Sequence, residues 1–97
     1  TQLFEAIGWV KSWSFRFTID FPSVQNHSQS AGVEVNIPGV RPGDSVQVTP
    51  LEDMIGMWFK GVVTSNDTVT IYACNFSNPA IDPPEMVYRV LVIQNQN

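Results

Sequence analysis

The sequence predicts an all-β fold, an antiparallel β-sandwich with Greek-key or jelly-roll-like connections and an N-terminal arm. Three observations carry that expectation. In residues 12–21, Trp13, Phe15, Phe17, Ile19 and Phe21 alternate with Ser12, Ser14, Arg16, Thr18 and Asp20, the period of two that sets one face of a strand against a core. Turn chemistry recurs at short intervals, with Pro38-Gly39, Pro42-Gly43 and Ser65-Asn66-Asp67 each fitted to reverse the chain. The segment 86–94 is apolar on both sides, as expected of a strand whose second face is also covered.

Taken in order, residues 1–11 form the arm, and residues 12–97 form the sandwich domain. Leu3, Phe4, Ile7 and Val10 would share one face of a short helix, but Gly8 interrupts it and no capping box follows Thr1. Such an arm either closes on its own sandwich or reaches a neighbouring subunit. The first strand follows. Residues 22–32, rich in Ser, Gln and Asn and holding His27, the only histidine, read as an exposed loop.

Val33, Val35 and Ile37 alternate with Glu34 and Asn36 as a second strand, which ends where residues 37–40 and 41–44 place two Pro-Gly pairs in succession. Proline presets φ at the second position of such a turn, and glycine supplies the positive φ needed at the third. Val46 and Val48 mark a third strand that Pro50 stops. Residues 51–56 read as a loop or single helical turn, and 57–63 as a strand closed by the hairpin signal at 65–67. A strand over 68–76 follows, then an extended connector held by Pro79, Pro83 and Pro84, then the last strand.

Composition narrows the function classes. A chain of 97 residues supports one core. Charged residues make up 14% against 43% hydrophobic, a low charge density that leaves some surface apolar or merely polar, as an interface would be. The net charge is −4, and Lys11, Arg16, Arg41, Lys60 and Arg89 are scattered along the chain. A phosphate backbone calls for clustered cations, so nucleic-acid binding is not expected. No apolar run approaches the length of a membrane span, no membrane partner is expected, and residues 1–10 lack the character of a secretory signal. A start at Thr1 in place of Met implies processing or a segment of a longer protein.

Catalytic chemistry has few candidates. Cys74 is the only cysteine, so an intramolecular disulfide cannot form, and mid-strand beside Tyr72 it reads as a small packing hydrophobe. His27 has no second histidine or reactive thiol near it in sequence and receives no role. Glu52-Asp53 and residues 82–85 are the local acidic groupings, and neither has calcium-loop spacing. They read as solvated. No catalytic, cofactor or metal residue is assigned, and no enzyme activity is expected. Among the tryptophans, Trp13 lies in core register, while Trp9 and Trp58 are open between core and an exposed stacking surface for a sugar ring.

The order of the pieces matters more than any one. Asp20-Phe21-Pro22-Ser23-Val24, residues 33–37 leading into Pro38-Gly39-Val40-Arg41-Pro42-Gly43-Asp44, Thr68-Val69-Thr70-Ile71, then Cys74-Asn75-Phe76-Ser77-Asn78-Pro79-Ala80-Ile81-Asp82-Pro83 and Tyr88-Arg89-Val90 occur in that succession. This resembles a small β module recurring in virion proteins of tailed bacteriophages, in capsid decoration or head-fibre proteins and at the ends of tail proteins. The resemblance covers roughly residues 15–93 and leaves the arm and the bulky stretch 51–59, with Met54, Met57 and Trp58, outside it.

The resemblance implies a viral structural protein: a capsid decoration, or cement, protein bound to the outer capsid surface. It would bridge subunits of a phage major capsid protein, as a homo-oligomer with a trimer favoured. On that reading Leu3, Phe4, Ile7, Trp9 and Trp58 are candidate docking residues, and Val87, Leu91 and Ile93 candidate residues of the oligomer seam. The alternative is a receptor- or glycan-binding module of a tail or head fibre, which predicts exposed loop aromatics.

Overall fold

The computed structural model describes residues 10–95, with side chains from Ser12 to Gln94. Its strands are β1 (Val10–Ile19), β2 (Ser28–Gln29), β3 (Val33–Asn36), β4 (Ser45–Pro50), β5 (Met57–Ser65), β6 (Thr68–Asn75) and β7 (Met86–Asn95). They form two antiparallel sheets packed face to face, a β-sandwich as the alternation predicts. One sheet has the order β1-β7-β4. In the other, β5 pairs with β6 over residues 68–75, so β2 and β3 lie end to end along the opposite edge of β6.

The chain winds from layer to layer: β1 in the first, β2 and β3 in the second, β4 in the first, the β5–β6 hairpin in the second, and β7 back in the first. First and last strands lie side by side, Phe15 opposite Val90 and Phe17 opposite Tyr88. This is a jelly-roll-like winding. The last two strands, β6 and β7, occupy the centres of the two layers.

The period of two is realised along β1: Trp13, Phe15 and Phe17 are half-buried and Ile19 is buried, while Ser12, Ser14, Arg16 and Thr18 are exposed. Met86, Tyr88, Val90 and Val92 of β7 meet Val69, Ile71 and Ala73 of β6 in one core, with Phe59 and Val63 of β5. Tyr88 is its centre. Phe21 stands edge-on to the Tyr88 ring at 5.3 Å between centroids, and Phe59 at 5.0 Å, arrangements the ring quadrupoles favour. Where β4 crosses β5, a side chain at Gly61 would bring its Cβ to 2.6 Å from a Val46 methyl. Glycine is therefore what lets that edge of the sandwich close.

The Pro-Gly corner behaves as its turn chemistry dictates. Val40 N–H reaches Ile37 O at 3.4 Å and Asp44 N–H reaches Arg41 O at 3.1 Å, with φ of 98° at Gly39 and 100° at Gly43. The β5–β6 hairpin tip locks onto it. Asp67, at φ 65°, accepts from Gly39 N–H through Oδ1 at 2.7 Å and exchanges backbone bonds with Ile37 and Val40. Residues 22–32 are mostly exposed, as expected of a loop, but carry two pairings of their own. Ser28 and Gln29 form β2 against Asn75 and Cys74, and Val24 bridges to Ile81, because the edge of β6 beyond β3 has backbone groups to pair.

Candidate functional site

Two surfaces stand out, one on the outside of each sheet. Outside the three-stranded sheet, β7 presents Val87, Arg89, Leu91 and Ile93. Val87 and Leu91 are half-buried and Ile93 is 36% exposed. Ser12 and Ser45 flank Ile93, Ser14 and Gln47 flank Leu91, and Arg16 and Thr49 flank Arg89. The result is an apolar ridge along the central strand between two rows of short, mostly uncharged side chains. Among these flanking and ridge residues, Arg16 and Arg89 are charged, and their guanidiniums come from positions directly opposite one another, so the apolar row is interrupted between Val87 and Leu91.

The outside of the four-stranded sheet is different. The register there groups Trp58 with Cys74 and Gln29, Lys60 with Tyr72, and Val62 with Thr70 and Glu34. Gly32 lies against the Thr70 methyl and the Tyr72 ring, which helps bury Thr70 and leaves Tyr72 half-exposed. The Lys60 ammonium sits 5.4 Å from the Tyr72 ring centre, a cation–π contact of modest worth at such an exposed site. At the end of the sheet the Trp58 indole stacks on Phe76, centroids 6.3 Å apart and planes 25° apart. Both rings are exposed, by 53% and 61%.

Beside this pair opens a shallow cleft of about 320 Å³, lined by His27, Ser28, Gln29, Cys74, Asn75 and Phe76. Asn75 is its anchor. Its buried Nδ2 donates to Val24 O at 3.1 Å and Pro79 O at 2.9 Å, and its Oδ1 accepts from Ser77 N–H at 2.8 Å and Ser77 O–H at 2.6 Å. One side chain thus ties two loops to the end of β6. Across the loops His27, held at φ 53°, donates from Nε2 to Asn78 Oδ1 at 3.0 Å. Phe76 N–H reaches Gly56 O at 2.8 Å, which fastens the 51–57 loop to the same end.

Of the residues singled out from sequence, Val87, Leu91 and Ile93 fall on one face, and Trp58 falls on the outside of the other sheet. Leu3, Phe4, Ile7 and Trp9 lie outside the described residues. Within 51–59, Met54 and Met57 pack against the core, whereas Leu51 is 52% and Ile55 89% exposed. Trp13 also packs on the core. Sequence reasoning left Phe76 without a surface role. It lies one step beyond β6 in the register of Tyr72 and Cys74, the outward side of the strand, and that parity was the available signal.

Cys74 is buried, with Gln29 Oε1 4.0 Å from its Sγ. Glu52, Asp53, Asp82 and Glu85 are exposed. Among the described residues no three His, Cys, Asp or Glu side chains gather as metal ligands. Compared with known proteins, the chain matches no family model, no curated protein and no solved structure.

Proposed function

We propose that this chain is a non-catalytic structural protein of a tailed-phage virion, a capsid-decorating domain on the outer capsid surface. There it closes into a homo-oligomer, with a trimer favoured, and bridges neighbouring subunits of the major capsid protein. The resemblance in turns and strand ends supplies the class of particle. The observation that carries the assembly role is the row of Val87, Leu91 and Ile93 on the outer side of β7, interrupted by Arg89 and flanked mostly by uncharged side chains. When such a face docks, the Arg16 and Arg89 guanidiniums are the ionic groups that need a partner's carboxylate or an opening to solvent.

The physical logic is additive. A stable interface buries roughly 1,200–2,000 Å² in total. Many copies engaging at once convert modest contacts into strong attachment. Closed symmetry suits a repeating shell because it leaves no dangling seam.

The test uses the full chain. Light scattering coupled to size exclusion is expected to report a closed oligomer, and sedimentation with phage shells is expected to carry the protein down. Leu91→Lys with Ile93→Lys is expected to abolish both while the circular dichroism spectrum is unchanged. A monomer that does not sediment with shells overturns the proposal. Quantitative mass spectrometry of particles discriminates position: hundreds of copies support a capsid site, and a handful overturn it in favour of a tail or fibre.

A further inference from the structure

We infer that the cleft beside Trp58 and Phe76 is a binding site for a neutral pyranose ring. The site lies on the four-stranded sheet, away from the β7 ridge, and stands whether or not that ridge is an assembly face. Phe76 gives it an exposed aromatic wall. Phe76 both lines the cleft and stacks on Trp58, which props the ring at a fixed tilt, so an exposed aromatic surface is held ready. A sugar ring offers a matching flat patch of C–H groups on one face and hydroxyls at its rim.

The rim of the cleft answers those hydroxyls. Ser28 contributes a hydroxyl and Gln29 a side-chain amide, both exposed, and His27 contributes an imidazole fixed through its bond to Asn78. Sites of this kind combine an apolar base with a few placed polar groups. No lining residue carries a carboxylate, ammonium or guanidinium, so an uncharged ligand suits the cleft better than an acidic sugar, a phosphate or a charged peptide. The walls are pre-formed, because Asn75 satisfies all its hydrogen-bonding groups within the loops it joins. Little ordering is then needed on binding.

The experiment is a heteronuclear NMR titration of the full chain with methyl glucoside, methyl galactoside, methyl mannoside and N-acetylglucosamine at millimolar concentrations, with sialic acid and cyclohexanol as controls. Saturable shifts are expected in the amides of residues 27–29 and 74–78 and in the Trp58 indole N–H for at least one neutral sugar. Phe76→Ala is expected to weaken that binding about tenfold or more, and Gln29→Ala to weaken it less. Both sites are exposed, and an unchanged melting temperature shows that the fold persists. The proposal is overturned by the absence of shifts with all four sugars, by shifts centred elsewhere, by equal binding of cyclohexanol or sialic acid, or by wild-type affinity in Phe76→Ala.

Discussion

β6 and β7 hold the same position in the two layers, and each carries a polar side chain on its core-facing side. Asn75 on β6 is 1% exposed and has all its donors and acceptors engaged. Tyr88 on β7 is fully buried, and its hydroxyl has no hydrogen-bond partner among the described residues. The difference teaches where each group's worth lies. Asn75 sits where the chain turns into loops whose carbonyls need donors. Tyr88 sits between Phe21 and Phe59, where the ring packs and the hydroxyl is carried along. Polarity in a core is an asset only when it is satisfied.

The sharpest way to break the comparison is Asn75→Asp. It replaces a two-donor amide with a carboxylate facing the Val24 and Pro79 carbonyls. The expected cost is about 3 kcal/mol, the sum of lost bonds and an unpaired buried charge, measured as a drop in the urea midpoint at constant slope. The 76–81 loop should also lose amide protection. A cost under about 1 kcal/mol would mean that Asn75 is a bystander in holding the loops.

Next in size are the two close-packed glycines of the four-stranded sheet, Gly61 against the opposite layer and Gly32 on the outer side. Gly61→Ala on β5 places a methyl 2.6 Å from Val46 Cγ1 and 3.1 Å from Val48 Cγ2. The expected loss is about 1–3 kcal/mol, because the two sheets must separate slightly at that edge. Gly32→Ala drives a methyl into the Thr70 side chain and towards Tyr72, and should lift the cover from β6. The informative readout is exposure of the Tyr72 ring, seen as a change in its fluorescence quenching, with the hydrophobic core unaltered.

Tyr88 responds in the opposite sense. Burial, with the nearby Asp20 charge adding to it, pushes the Tyr88 hydroxyl up to about 12 from its ordinary 10.0. Because the folded value lies above the unfolded one, this group's contribution is fully present below pH 10 and is lost as pH rises from 10 towards 12. The loss runs at up to about 1.4 kcal/mol per pH unit in that window. Tyr88→Phe keeps the ring and removes a buried hydroxyl that has no partner among the described residues, so it is expected to be neutral or to stabilise by up to about 1 kcal/mol at pH 7. It should also flatten the alkaline limb of the stability profile. An unchanged alkaline limb in the variant would assign that slope to other tyrosines or lysines.

These sites also mark how far the sequence can be read. The Pro-Gly corner was legible because proline and glycine specify local dihedrals without reference to the rest of the fold, and Gly39 and Gly43 adopt the positive φ their turns require. β1 and β7 were legible because periodicity reports burial directly. The two-residue β2 was not, since Ser28 and Gln29 have no strand pattern and pair only because the β6 edge is there. Asn75 likewise looked like one more strand residue, for its partners lie 51 and 4 positions away. The stacking of Phe76 on Trp58 joins two strands' ends and has no local signature. The apolar outer side of β7 was visible as pattern, because alternation marks both faces of a strand.

The smallest expected effect on stability falls on that outer side, and it separates the two central strands most cleanly. Val87, Leu91 and Ile93 project from the outer side of β7, the first two half-buried and Ile93 36% exposed among the described residues. Leu91→Lys is half-buried among Ser14 and Gln47, where a lysine stem can lie along the surface and put its ammonium in water. Monomer stability should change by less than about 0.5 kcal/mol in dilute solution. Association should fail, because each copy in a closed ring would bring the same charge into a dry seam. An outer face that serves only the monomer would show the reverse: a loss of intrinsic stability, with whatever oligomer the protein forms left intact.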